Sequence, residues 1–249
     1  MRSWIAVEVE QGTAVVSVQR PPANAIDISL LTQLSTTLRE LEQRRDVTAV
    51  VLTGAGKAFS AGLDLKLVPT YDRSQQNELL RILNQVLYQL YALPIPTVAA
   101  VNGHAIAGGL VLALACDMRV VVDTGALLGL TEVRAGVPFP VAAMAVVNAE
   151  LSAATARELV LGGKNYDSSR ALALGMVDEL QPAEQVLARS KAIARDLSAA
   201  PRESYGRIKR QLRQAASAEI ERAQGADPLH GNWIGQETAA AAATVLRGG

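Results

Sequence analysis

The sequence predicts an α/β fold that gives way to helices, and three observations carry that prediction. TAVVLTG (residues 48–54) and TVAAVNG (97–103) are continuous apolar runs of the kind that form strands buried on both faces. Between them, leucines recur at helical spacing. From about residue 152 onward the chain consists of amphipathic Ala/Arg/Leu-rich segments, interrupted only by GMVDEL near Gly175.

Taken in order, IAVEVE and AVVSVQ alternate around Gln11-Gly12 and predict a hairpin that Pro21-Pro22 ends. Ser29 is an N-cap candidate for a helix over 30–45, whose leucines at 30, 31, 34, 38 and 41 share one face. The strand over 48–54 leads through a glycine-rich loop into FSAGLDL. Periodicity over 75–93 predicts a second helix, stopped before Pro94 and Pro96. The strand over 97–103 then meets HAIAGGLVLALACD (104–117), the most apolar stretch of the chain, and MRVVVD returns as a third strand. Strands alternating with helices over the first 125 residues define the α/β class. The expected organisation is a core over 1–195 followed by a helical region over 196–249, with the alanine run at 239–243 read as helix.

Composition narrows the function. At 249 residues and 49% hydrophobic content the chain can bury a large core. Lys plus Arg equals Asp plus Glu at 24 each, so nothing calls for nucleic acid or an acidic membrane surface. Aromatics at 4% speak further against base stacking. Cys116 is the single cysteine, which excludes an internal disulfide and fits a reducing compartment. Two histidines and one cysteine speak against structural zinc. The chain starts directly with strand-like alternation, without a signal core or presequence. The uninterrupted apolar part of 104–117 is about 12 residues, short of the ~20 that span a bilayer. A soluble cytoplasmic protein is expected.

Several motifs compete for the chemistry. GAGKAF (54–59) begins like a dinucleotide fingerprint but lacks the third glycine and opens no helix. AFSAG (58–62) resembles a nucleophile elbow with Ala58 in place of the first glycine, and His104 is the one histidine available to Ser60. The cations at 202, 207, 209, 210 and 213 read as a solvated helix face, or as one or two phosphate contacts. Two loops remain, SAGLDL (60–65) and IAGGL (106–110), each following a strand and presenting backbone amides beside glycine. A helix N-terminus offers unpaired N–H groups, and Gly108 and Gly109 let a ligand approach the backbone. Facing one another, such loops make an oxyanion hole suited to a thioester enolate. The same glycines equally serve tight strand–helix packing, and spacing alone does not choose.

FSAGLDL, TVAAVNGHAIAGGLVLALACDMRV, GLTEVRAGVP and ARELVLGGKNYDSSRALALGMVDEL, in this order, resemble the crotonase (enoyl-CoA hydratase/isomerase) superfamily over about residues 7–182. The resemblance implies a crotonase-like spiral of ββα units with a C-terminal helical trimerisation region, assembled as a homotrimer or dimer of trimers. It implies an enzyme of fatty-acid metabolism that takes an acyl-CoA thioester, with coenzyme A arriving as part of the substrate and no separate cofactor. The thioester oxygen would rest on the Leu63 and Gly108 amides. Ala25, Ala61, Asp64 and Leu65 would lie near adenine or pantetheine, with Gly62, Gly109 and Val111 completing the binding wall.

Hydratases of this family use two glutamates. One falls three residues after the second oxyanion amide, where this chain has Val111; the other corresponds to Glu132 in GLTEVRAGV. Val111 can neither hold nor deprotonate water. The blocks look closest to Δ3,Δ2-enoyl-CoA isomerases, which manage with one glutamate at the position of Glu132. Read without the resemblance, Glu132 is a helix N-terminal or surface carboxylate paired with Arg134. Glu158, a tempting second acid, has a structural helical context.

Overall fold

A computed structural model describes residues 2–223, 226–235, 238, 240 and 241. The helix read at 239–243 falls mostly outside the described residues, with only 240 and 241 among them.

The hairpin is β1 (Ile5–Glu10) and β2 (Thr13–Val18), paired antiparallel. Gln11 and Gly12 both have positive φ, 50° and 79°, as a tight two-residue hairpin turn requires. The first helix, α1 (Ile28–Gln43), buries the five predicted leucines. Its cap is Asp27 rather than Ser29. The Asp27 carboxylate accepts from the Leu30 amide at 2.8 Å and is held by Arg20 at 3.0 Å, so the earlier residue wins the position. The second long helix, α2 (Arg73–Ala92), starts two residues before the predicted one because Asp72 and Gln75 form a reciprocal capping box.

The rest of the core is built by one repeated step. Three times a strand of a large sheet is followed by a three-residue strand of a small one. Thus β3 (Ala49–Gly54) runs into β4 (Ala58–Ser60), β5 (Thr97–Val101) into β6 (His104–Ile106), and β7 (Met118–Val122) into β8 (Leu127–Gly129). With β9 (Asn165–Asp167) and β10 (Glu179–Gln181), the sheets have the orders β1-β2-β3-β5-β7-β10 and β4-β6-β8-β9. All residues of β3 and β5 are buried, the reason their sequences are apolar without alternation. Helix α8 (Val186–Ser198) covers β3 and β5.

The stretch 104–117 is therefore two elements. After β6 comes α3 (Gly108–Leu114), buried from Gly109 to Leu114. Beyond β8 lie α4 (Glu132–Ala135), α5 (Val141–Glu150), α6 (Ala153–Gly162) and α7 (Ser168–Ala173); α9 (Arg202–Leu212) and α10 (Gln214–Ala223) follow α8. No helix among the described residues is long and apolar enough to cross a membrane.

The basic run on α9 corrects an expectation. Lys209 and Arg213 are buried, neither solvated nor open to a phosphate, and both pair with Asp117 at 2.8 and 3.0 Å. Arg202 donates to the Val47 carbonyl at 2.6 Å.

Candidate active site

The spiral brings the two glycine loops together. An isolated parallel bridge joins Ile26 to Leu63, with the Ile26 amide donating to Gly62 O (2.7 Å) and Asp64 N donating to Ile26 O (2.9 Å). Those bonds use the residues on either side of Leu63. The Leu63 amide itself has no acceptor among the described residues.

Across from it, Ala107 stands at φ 53°, ψ −128°, a conformation that favours glycine, and its carbonyl takes the Leu110 and Val111 amides. Gly108 follows as the first residue of α3. Its N–H precedes the helix ladder and likewise has no acceptor among the described residues. A Cβ on Gly62, whose φ is 77°, would stand 3.2 Å from Gly108 N and 2.8 Å from Ile106 O. The two loops thus meet at a spacing that only glycine at 62 permits.

The two glycines of α3 have different reasons to be glycine. A Cβ on Gly109 would fall 2.2 Å from the Ser60 carbonyl oxygen, so that residue lets α3 press against β4 and does not reach the cavity wall. A Cβ on Gly108 would meet nothing in the protein closer than Ile26 Cδ1 at 3.4 Å, and Gly108 does line the cavity. Packing explains Gly109; an open approach to the backbone suits Gly108.

That cavity, about 100 Å³, is apolar almost throughout. Ala61, Leu63, Leu65 and Val111 all line it. Glu132, the first residue of α4, is the one carboxylate in its described wall. The side chain is buried, and its Oε2 has no hydrogen-bond partner among the described residues. Removal from water pushes its pKa up to about 8, the Glu132 backbone amide opposing weakly. Arg134 does not pair with it and instead donates to the Gly162 carbonyl at 3.4 Å.

Other candidates lie elsewhere. The Asp64 carboxylate binds Arg20 at 2.7 Å and accepts the Lys66 and Leu67 amides at 3.1 and 3.2 Å. The Ala25 carbonyl accepts from Arg20 at 3.0 Å. Both residues stand beside the Leu63 loop but outside the cavity wall. Ser60 Oγ is buried and donates to Asn24 O at 2.8 Å, while His104 Nδ1 accepts the Leu127 amide at 3.1 Å. Both are committed to local structure, which removes the Ser/His nucleophile. Glu158 bonds Tyr166 and Arg170 on the surface. Among the described residues no three His, Cys, Asp or Glu side chains gather as a metal set.

Sequence reasoning named none of the residues of the far wall of the cavity: Leu83 and Leu87 from α2, Phe139, Ala143 from α5, and Trp233. The leucines read only as a helix stripe. Trp233 lies in a segment with no periodicity, and its rarity was its one signal.

With the geometry established, comparison with known proteins fits it closely. Residues 8–237 match the enoyl-CoA hydratase/isomerase family model. A putative enoyl-CoA hydratase of Thermus thermophilus is 40% identical over 197 residues, covering 77% of this chain and 77% of that protein. A probable enoyl-CoA hydratase of Mycobacterium avium is 35% identical over 200 residues, covering 80% and 77%. The crystal structure of human mitochondrial Δ3-Δ2-enoyl-CoA isomerase superposes with a TM-score of 0.90 at 28% identity, covering 98% of this chain and 97% of that one. Two facing amides beside a lone buried glutamate, on a spiral shared with these relatives over most of its length, place this chain in the enoyl-CoA hydratase/isomerase family of the crotonase superfamily.

Proposed function

We propose that the protein isomerises 3-enoyl-CoA to 2-enoyl-CoA with Glu132 as its only acid–base group. The observation that carries this reading is the lone Glu132 in an otherwise apolar wall, with Val111 three residues beyond Gly108 in α3. In a 3-enoyl thioester the C2 proton is acidified by both the carbonyl and the alkene. Glu132 takes that proton, the C2–H electrons form a C1=C2 bond and push the carbonyl pair onto the thioester oxygen of the dienolate; when C4 is protonated the carbonyl reforms and the double bond settles at C2=C3. The Leu63 and Gly108 amides hold that oxygen. The same carboxyl returns the proton at C4, so one base serves both carbons and no water is consumed.

The apolar cavity supports this chemistry. A pKa near the working pH suits a group that must both accept and deliver a proton. Apolar walls also keep out water that would intercept the dienolate. Coenzyme A enters as part of the substrate and no further cofactor is needed. The reading includes assembly as a homotrimer or dimer of trimers, which light scattering on the purified protein would measure.

The hydratase names of the Thermus and Mycobacterium relatives favour a second reading, addition of water to a 2-enoyl-CoA. An assay panel separates the two. Purified protein should convert a 3-enoyl-CoA to its 2-enoyl isomer, with slow or absent hydration of crotonyl-CoA. Robust hydration that survives Glu132→Gln overturns the proposal, and tight acyl-CoA binding without turnover turns it into a binding protein.

A further inference from the structure

We propose that Trp233 is a specificity-determining residue that sets how long an acyl chain the cavity accepts; this rests on the thioester reading above. If the Leu63 and Gly108 amides and Glu132 fix the reacting carbons, the tail must run along the remaining apolar wall. That wall is Leu83 and Leu87 of α2, Phe139, Ala143 and Trp233. Trp233 is the largest of these side chains and is only 3% exposed. It is also the one delivered from outside the α/β core.

Its position is fixed rather than incidental. The indole Nε1–H donates to the Pro138 carbonyl at 2.8 Å, so turning the ring away would orphan a buried donor. The segment carrying it is tied on both sides of the indole. Upstream, the Asp227 carboxylate accepts from Asn84 Nδ2 and the Val141 amide, both at 2.9 Å, and Gly231 N donates to Asn77 Oδ1 at 2.7 Å. Downstream, Ile234 N donates to Gln76 Oε1 at 3.2 Å and Thr238 Oγ1 to the Gly136 carbonyl at 2.6 Å. Every tether ends on α2 or on residues 136–141, the two stretches that flank this wall. The strap thus holds the indole as a strut between α2 and the chain following Glu132. A cavity of about 100 Å³ leaves little room for a tail to pass such a strut.

The test measures binding as well as turnover. Dissociation constants of wild type and Trp233→Ala are read by calorimetry against saturated acyl-CoAs from butyryl to dodecanoyl, beside kcat/KM for the matching 3-enoyl-CoAs. Wild-type affinity should stop improving after a short chain. Trp233→Ala should continue to gain, by about fourfold for each further methylene it accommodates, and the kcat/KM optimum should move to longer chains. Trp233→Phe keeps an aromatic ring in the wall, should shift the optimum by less, and serves if the alanine variant does not fold. A length profile unchanged in the folded variants overturns the assignment alone. Absence of any acyl-CoA binding by wild type overturns the thioester reading and this one with it.

Discussion

The two ends of α3 are treated in opposite ways. At the C-terminal end, the Cys116 carbonyl accepts from Arg213 Nη2 at 3.1 Å and Arg119 Nη1 at 3.4 Å, and the Ala115 carbonyl accepts from Arg213 Nη1 at 3.4 Å. Around them, the buried Arg119, Lys209 and Arg213 interlock with Asp117, Glu150 and Asp178 nearer the surface, so three cations meet three carboxylates in a charge-balanced network. Tyr205 and the Thr97 amide add donors to Asp117 at 2.9 and 2.8 Å. At the N-terminal end, only seven residues away, neither the Gly108 amide nor one oxygen of the nearby Glu132 carboxyl has a hydrogen-bond partner among the described residues. Unpaired polar groups that converge on one apolar cavity mark where a ligand completes the bonding. Stability is concentrated at one end of the helix and reactivity at the other.

Breaking each end should give a different phenotype. Glu132→Gln keeps the shape and removes the base, so isomerisation should fall by about 10²–10⁴-fold with the fold intact, as steady-state kinetics and circular dichroism would show. Asp117→Asn strips Lys209 and Arg213 of their shared charge. Denaturant unfolding should show a loss of about 3–5 kcal/mol, while the folded fraction retains its kcat. Gly62→Ala drives a Cβ between the loops, 2.8 Å from Ile106 O and 3.2 Å from Gly108 N, at a φ that disfavours any side chain. Displacing an oxyanion donor in this way should lower kcat by about 10²–10³-fold.

A further effect is graded by pH. Because Glu132 holds its proton up to about pH 8 in the folded chain against an ordinary glutamate value of 4.5, the folded state binds an extra proton between those values. Its contribution to stability is full below about pH 4.5 and declines as pH rises toward 8, by at most about 1.4 kcal/mol per unit. Glu132→Gln escapes that decline, so its stability advantage over wild type should widen from pH 5 to 8 and then level off. Over the same range kcat/KM should rise with pH as the free carboxylate appears. A constant gap between the two unfolding curves would show that Glu132 is not desolvated.

Much of this contrast was visible in the sequence, though unevenly. The apolar runs of β3 and β5, the leucine stripe of α1 and the turn at Gln11-Gly12 have strong local signals, and each appears within a few residues of its expected place. The glycines of the two loops stood out by their place after strands, Glu132 only through the family resemblance. The three-residue strands β4, β6, β8 and β9 did not, because no periodicity develops over three residues. Ala107 gave no warning of its positive φ, which neighbouring packing imposes on a residue that would not choose it. Lys209 and Arg213 looked solvated since ion partners distant in sequence, Asp117 and Glu150, decide their burial. Trp233 joins a wall formed by residues 90 or more positions earlier.

The central claim, that one carboxylate carries the proton between two carbons in an apolar cavity, is tested most directly with a 3-enoyl-CoA deuterated at C2 and turned over in ordinary water. The shuttle predicts that part of the 2-enoyl product carries deuterium at C4, with formation of that product falling in Glu132→Gln. Product devoid of C4 deuterium, formed at a rate indifferent to Glu132→Gln, would contradict it.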